Sequence, residues 1–212
     1  MPEVTETFKS LQGESTHAGR VCFFIRLTGC NLDCCYCDTL YAKSGGEYRS
    51  IGDLVDEAEK SGCKLVEITG GEPLVQSETP ELIERLINSG FEVLLETNGS
   101  CDIGKVHPQC RKIVDRKLPD SGMDNFHLTE NWNKLSAHDE VKFVVSSKND
   151  FDFAVEEIKK YKLYDKTPHL IFSPVWGKVK FDDLAQWVVE CGLPVRMQLQ
   201  MHKLIWGDRK GV

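Results

Sequence analysis

The sequence predicts an α/β fold: an open, incomplete (β/α) barrel of parallel strands, formed by a single domain over residues 1–212. Three observations carry this expectation. Short apolar runs recur along the chain, helical apolar patterns lie between them, and glycine-rich polar segments follow several of the runs.

The runs are Val21–Leu27 (VCFFIRL), 65–69, 92–96, 113–115, 141–145, 169–172 and 195–199, and they read as strands buried on both faces. Between them, Ile51, Leu54, Val55 and Ala58 repeat at helical spacing behind Ser50, a helix-capping residue. Thr79 and Pro80 read as cap and first residue ahead of Leu82, Ile83, Leu86 and Ile87. Phe151, Ala154, Val155 and Ile158 repeat the pattern, as do Leu184, Ala185, Val188 and Val189 before Gly192. Segment 98–111, with Gly99, Gly104 and Pro108, has no room for a good helix, so one crossover is degenerate. Seven strands fall short of a full eight-fold barrel, and right-handed crossovers put the ligand site at the carboxyl ends of the strands.

Composition narrows the function classes. A net charge of −7 with dispersed Lys and Arg excludes a large nucleic-acid footprint, because phosphate binding needs clustered cations. No apolar run approaches 18 residues and no charged-then-apolar leader opens the chain, so no membrane partner is expected. Nine cysteines, an odd number, suit the reducing cytoplasm; Cys22, Cys63, Cys101, Cys110 and Cys191 read as packing thiols.

The remaining cysteines are the chemical signal. Cys30, Cys34 and Cys37 form C-x3-C-x2-C, a spacing that nine random cysteines would produce with a chance of roughly 0.02. Three thiolates can hold a cubane iron–sulfur cluster and leave one iron open to a small ligand. The competing reading is structural zinc, which wants four ligands in paired clusters, and no second C-x2-C or H-x3-H pair follows. Cys35 directly neighbours Cys34 and reads as packing.

The motif falls just after the first apolar run; Thr69-Gly70-Gly71-Glu72-Pro73 follows the second and Glu96-Thr97-Asn98-Gly99 the third, so all three gather on one rim. The two glycines are read as letting the backbone approach a ligand, with an exposed carbonyl or the Glu72 carboxylate available to an ammonium group. Arg26, between Ile25 and Leu27, is a guanidinium in a buried strand and demands a partner.

With the cysteine triplet, Tyr36 before its last member and the GGEP turn one strand later, the chain resembles the radical S-adenosylmethionine (SAM) superfamily. That resemblance implies a [4Fe–4S] cluster whose open iron is chelated by the methionyl amine and carboxylate of SAM. One-electron reduction, from a donor such as flavodoxin or ferredoxin, then releases methionine and a 5′-deoxyadenosyl radical that takes a hydrogen from the substrate.

Further runs narrow the match: Phe8-Lys9-Ser10-Leu11-Gln12-Gly13-Glu14, Phe23-Phe24-Ile25-Arg26-Leu27, Asp38-Thr39, and Gln198-Leu199-Gln200-Met201-His202-Lys203-Leu204-Ile205-Trp206-Gly207. Together they resemble the 7-carboxy-7-deazaguanine synthase (QueE) family of queuosine biosynthesis. The resemblance implies a Mg2+-dependent carbon–nitrogen lyase that contracts 6-carboxy-5,6,7,8-tetrahydropterin to 7-carboxy-7-deazaguanine with loss of ammonia. It implies substrate contacts at Leu11, Gln12, Gly13, Glu14, Arg26, Thr69, His202 and the Val212 carboxylate, and Thr39 as a Mg2+ ligand. For SAM it implicates Tyr36, Cys37, Asp38, Gly71, Glu72 and Glu96, then Asp115, Arg116 and Lys117, then Ser173, Pro174, Val175 and Trp176. Relatives are commonly homodimers.

Two departures matter. Ser15 stands where many relatives have glycine, which limits the backbone if φ is positive there, and Cys35 adds a thiol inside the cysteine loop. The alternative within radical chemistry is an activating enzyme that generates a glycyl radical on a partner protein. Arg26 favours an enclosed small molecule instead.

Overall fold

The computed structural model describes residues 1–212 and contains one nine-stranded sheet with α-helices packed on its outer face. The strands are β1 (Glu3–Leu11), β2 (Val21–Leu27), β3 (Glu47–Tyr48), β4 (Leu65–Gly70), β5 (Glu92–Thr97), β6 (Arg111–Arg116), β7 (Glu140–Val145), β8 (Leu170–Pro174) and β9 (Arg196–Met197). Their order is β3-β1-β2-β4-β5-β6-β7-β8-β9, and β3 and β9 stay as free edges, so the barrel is open. From β2 to β9 every pairing is parallel.

Two strands precede that parallel set, contrary to the expectation of seven parallel strands only. β1 pairs antiparallel with both β2 and β3. Its sequence EVTETFKSL carries so many charged and threonine residues that the apolar signal is lost, and Val4 is its one buried residue. Pairing with β2, not its own hydrophobicity, makes it a strand. At the other end the expected strand 195–199 shrinks to two residues.

Four helices cover the sheet: α1 (Ile51–Ser61), α2 (Thr79–Asn88), α3 (Lys148–Tyr161) and α4 (Phe181–Glu190); a fifth, α5 (Met201–Trp206), follows β9. Ser50 caps α1 by accepting from the Asp53 N–H over 3.0 Å, and Gly62 at φ +71° ends it. Thr79 does not cap α2, as the sequence suggested. Its hydroxyl donates to the Pro73 carbonyl at 2.6 Å instead, and Glu78 holds the cap position without a side-chain bond to the helix backbone. The β5–β6 crossover holds only a 3-10 turn at Ile103–Lys105, as expected. The β6–β7 crossover also lacks an α-helix and runs through three 3-10 turns.

Alternation along each strand divides the core. Phe23, Ile25, Ile68 and Leu95 pack outward beneath Leu54, Leu82 and Leu86 of α1 and α2; Val141, Phe143 and Phe172 do the same beneath Phe151, Ile158 and Leu184 of α3 and α4. Each such fully buried Leu or Phe contributes about 1.5–3 kcal/mol. The inner face is different. Cys22, Phe24, Leu65, Leu94 and Ile113 form a small apolar floor, with Phe8 stacked on Phe24 at 4.9 Å. Further along the same strands stand Arg26, Glu67, Thr69, Glu96 and Asp115, joined by Lys142 of the neighbouring β7. Those strands are therefore apolar on one face and charged at the end of the other.

Candidate active site

The charged ends open into a cavity of about 570 Å³, whose wall includes Cys30, Cys34 and Cys37. The cysteine loop leaves β2 and is tied down by backbone and side chains. Gly29 N–H donates to the Ala42 carbonyl at 2.8 Å, Asn31 donates to Ser100 at 2.8 Å, and Cys37 N–H closes a turn onto the Cys34 carbonyl at 3.2 Å. All three thiols are free and half-buried. Burial pushes the Cys34 thiol up, Lys117 opposes this, and Asp115, Cys37 and Cys30 add to it. No three His, Cys, Asp or Glu side chains converge on one point as a single ion requires. A cubane makes no such demand, since each of its irons takes its own thiolate. Cys35 is turned to other use: its N–H donates to the Ser121 carbonyl at 3.2 Å and its thiol to the Asp120 carbonyl at 3.0 Å.

The Gly70-Gly71 turn borders the cavity and also meets a steric demand that the sequence did not reveal. A Cβ on Gly70 would stand 2.1 Å from the Leu27 carbonyl oxygen, and one on Gly71 2.1 Å from that of Gly29. The turn thus lies close against the end of β2 and the start of the cysteine loop. Glu72 is likewise occupied: its carboxylate accepts from Leu74 N–H at 3.0 Å, the Thr97 hydroxyl at 2.7 Å and Asn98 N–H at 2.6 Å. It is fully buried and faces away from the cavity, so it ties the β4 and β5 ends together.

Across the cavity, Arg26 is paired as its burial demands. Its Nε donates to Glu6 at 2.8 Å, the Tyr41 hydroxyl donates to the same oxygen at 2.8 Å, and the guanidinium carbon lies 5.8 Å from the ring centre of Phe8 and 5.9 Å from that of Tyr41. With Nε so fixed, the terminal fork is the part left to meet a carboxylate. Glu6 faces Arg26 because β1 and β2 pair those two residues in register.

The end of β1 brings Leu11, and the β1–β2 loop Gln12, Gly13 and Glu14, to the cavity wall. Ser15 sits at φ +63°, the left-handed region that glycine would occupy without strain, and its hydroxyl accepts from His17 N–H at 3.0 Å. Gln12 donates to Glu67 and accepts from Glu14 N–H at 2.8 Å. Burial, with Glu96 adding to it, raises the Glu67 carboxyl well above its ordinary range. Glu14 is opposite in character. Burial alone would raise it, yet Lys142 at 2.9 Å and Gln200 at 3.0 Å keep it lowered. Gly13 lies against His202, leaving a Cβ only 2.3 Å from Nδ1, and the Gly13 carbonyl accepts from Met201 N–H at 3.0 Å. Helix α5 thereby brings His202 and the Val212 end to the same cavity.

Thr39 and Asp38 stand on the cysteine-loop side. Lys203 of α5 holds Asp38 at 2.9 Å, and the Thr39 hydroxyl donates to the same carboxylate at 2.9 Å. Thr39 precedes the 3-10 turn Leu40–Lys43 but makes no side-chain cap, so its hydroxyl is not committed to the turn. Thr69 and Glu96 share a 3.5 Å hydrogen bond.

Of the stretch 115–117, Asp115 and Lys117 face the cavity, paired at 2.9 Å, while Arg116 points outward to Glu157 of α3 at 2.9 Å. Strand alternation allows no other outcome for three successive side chains. Of 173–176, Val175 and Trp176 line the cavity, whereas Ser173 and Pro174 are buried in β8 away from it. Sequence reading missed Lys142, Glu67, Glu6, Tyr41, Gln200 and Lys203. Glu67 and Lys142 carried the same signal as Arg26, a charge inside an apolar run.

Comparison with known proteins assigns this geometry. The chain matches the radical SAM superfamily over residues 24–188. It is 43% identical to the 7-carboxy-7-deazaguanine synthase of Koribacter versatilis, across 99% of this chain and 100% of that protein. The Chlorobaculum tepidum protein of the same name is 40% identical, over 99% and 96%. The chain belongs to the 7-carboxy-7-deazaguanine synthase family of radical SAM enzymes. The crystal structure of QueE from Escherichia coli superposes with a TM-score of 0.77 at 25% identity, covering 95% of this chain and 94% of that one. Streptococcus suis SuiB shares the fold alone, with a TM-score of 0.56 at 12% identity over 81% of this chain and 48% of its own.

Family membership brings a [4Fe–4S] cluster, SAM and Mg2+. The residues fit them. Three thiols share one wall, the buried Asp115 Oδ1 has no partner within the protein, and hard oxygens at Asp38 and Thr39 lie beside the cysteines. An orphaned carboxylate oxygen on a cavity wall is matched by a ligand hydroxyl. The enzyme is a radical SAM lyase, and no helix of it is long and apolar enough to cross a membrane.

Proposed function

We propose that this chain converts 6-carboxy-5,6,7,8-tetrahydropterin to 7-carboxy-7-deazaguanine and ammonia. The observation that carries the reading is the common cavity of the cysteine triad, the Arg26 fork and the Gln12–Glu14 loop. When bound, the cluster and SAM supply a carbon radical that removes a hydrogen atom from the substrate.

The protein's own residues bind and orient. Cys30, Cys34 and Cys37 hold the cluster; Tyr36, Asp38, Gly71, Glu96, Asp115, Lys117, Val175 and Trp176 form the SAM half. Glu72, Arg116, Ser173 and Pro174 support that half from behind its wall. Arg26, braced by Glu6, anchors the substrate carboxylate with its terminal nitrogens. Gln12, Gly13, Glu14, Thr69 and His202 hold the ring, and Thr39 supplies an oxygen to Mg2+. Helix α5 and Val212 form one wall, which suits an enclosed small molecule better than a glycyl-radical partner protein. We take the chain to be one domain, a cytoplasmic homodimer reduced by flavodoxin or ferredoxin.

The test is turnover. Oxygen-free protein reconstituted with iron and sulfide, given SAM, Mg2+, dithionite and the carboxytetrahydropterin, is expected to release ammonia and develop the deazapurine ultraviolet spectrum. An intact cluster with neither product overturns the assignment.

A further inference from the structure

Lys142 occupies a position that none of the roles above explains. It projects from β7 into the cavity wall with its side chain 5% exposed, and three carboxylates from three different elements converge on its ammonium. Glu14 of the β1–β2 loop lies at 2.9 Å, Glu96 of β5 is in direct contact, and Asp115 of β6 stands at 3.6 Å. Burial works against the charge, and those three carboxylates together keep the ammonium protonated far above its ordinary range. The set is crowded: one ammonium lies within 3.6 Å of three carboxylates, and a second cation, Lys117, reaches only Asp115 among them.

Each carboxylate also has a second engagement. Glu14 accepts from Gln200, Glu96 from Thr69, and Asp115 from Lys117, with Asp115 Oδ1 unpartnered. Lys142 is thus the only group that touches all three. Its chain neighbours Val141 and Phe143 turn outward into the core beneath α3, and the cation nearest to the set, Lys117, pairs with Asp115 and not with Glu14 or Glu96.

We propose that Lys142 is a positioning residue that makes the binding of SAM and of the pterin mutually favourable. The proposal rests on the functional reading above, in which Glu14 belongs to the substrate half and Glu96 and Asp115 to the SAM half. A ligand that hydrogen-bonds to Glu96 or Asp115 fixes their oxygens and the ammonium between them. Glu14 is then already ordered for the second ligand, which loses less freedom on binding. Reciprocity requires the pterin to tighten SAM by the same factor.

The experiment is a pair of anaerobic titrations on protein with its cluster reconstituted and left oxidised, a state in which SAM binds without cleavage. Pterin affinity is measured with and without saturating SAM, and SAM affinity with and without pterin. Wild-type protein is expected to show tightening of about 5- to 150-fold in both directions. Lys142→Met is expected to bring both ratios to within about twofold of one while each ligand still binds alone, and Lys142→Arg to keep most of the effect. Iron content and thermal unfolding check the fold. If Lys142→Met does not fold, Glu96→Gln decides, because it cuts one link and leaves the cation; it is expected to reduce the ratio severalfold. Wild-type ratios of one, or undiminished ratios in Lys142→Met or in its substitute Glu96→Gln, overturn the coupling while leaving the reaction assignment intact. Failure of wild-type protein to bind either ligand overturns both.

Discussion

The backbone N–H of Glu72 donates to the carbonyl of Gly29 over 2.8 Å, which fastens the turn after β4 to the loop that carries Cys30. Gly71 makes that approach possible. In Gly71→Ala the new Cβ would meet the Gly29 oxygen at 2.1 Å and the Cys30 Cβ at 2.8 Å, so the two backbones must part. Reconstituted Gly71→Ala is expected to hold severalfold less iron than wild type. Full iron and sulfide content would refute the coupling of turn and loop.

The cysteines separate into ligands and bystander. Cys34→Ala is expected to abolish the brown cluster absorption and turnover with the fold retained, because it removes one of three thiolates. Cys35→Ala gives up only a thiol bond to Asp120 and should keep both. Iron analysis of the two variants side by side is the check, and a cluster lost in Cys35→Ala would reverse the assignment.

Thr39→Ala should weaken the response of turnover to Mg2+ by severalfold, since a hard oxygen beside the cysteines is lost. An unchanged Mg2+ titration would remove Thr39 from the metal site.

Ser15 combines strain with a hydrogen bond. At φ +63° its backbone costs about 1–2 kcal/mol, and its hydroxyl satisfies the His17 N–H. Ser15→Gly relieves the first and loses the second, so its unfolding free energy should change by less than about 1 kcal/mol. Ser15→Ala keeps the strain and orphans a buried N–H, at a cost of about 1–3 kcal/mol. Denaturant unfolding orders the two; an alanine variant as stable as wild type would contradict the account.

On the opposite end of the barrel from the cavity, the Arg20 fork, against partial burial and with help from His17, holds the Glu92 carboxyl down to about 2 from an ordinary 4.5. A lowered folded-state pKa stabilises the fold above the unfolded pKa and loses that contribution as pH falls through the folded one. The stability difference between wild type and Glu92→Gln should therefore be constant above about pH 5 and shrink between about pH 4.5 and 2. Glu92 is 45% exposed, so solvent screening keeps the difference below about 1 kcal/mol. Thermal melts of both proteins across that range test it, and parallel curves would rule the pair out.

What the sequence determined by itself was whatever lies in contiguous residues. Apolar periodicity marked the parallel strands and four covering helices, cysteine spacing marked the cluster, and a charge between Ile25 and Leu27 marked Arg26 as a residue needing a partner. The β1 strand escaped because its apolar residues are scattered among charged and hydroxyl ones, and only pairing with β2 makes it a strand. Tertiary structure decided everything that depends on distant partners or on which face of a strand is inside. Arg116 and Glu72 stand in the expected stretches yet point elsewhere, and Gly70 and Gly71, which line the cavity, also lie close against the backbone of Leu27 and Gly29. Lys142 acquires its meaning from Glu14, 128 residues away. Hydrophobic pattern is a local property of the chain, whereas a buried charge is defined by the groups that folding brings within a few ångströms of it.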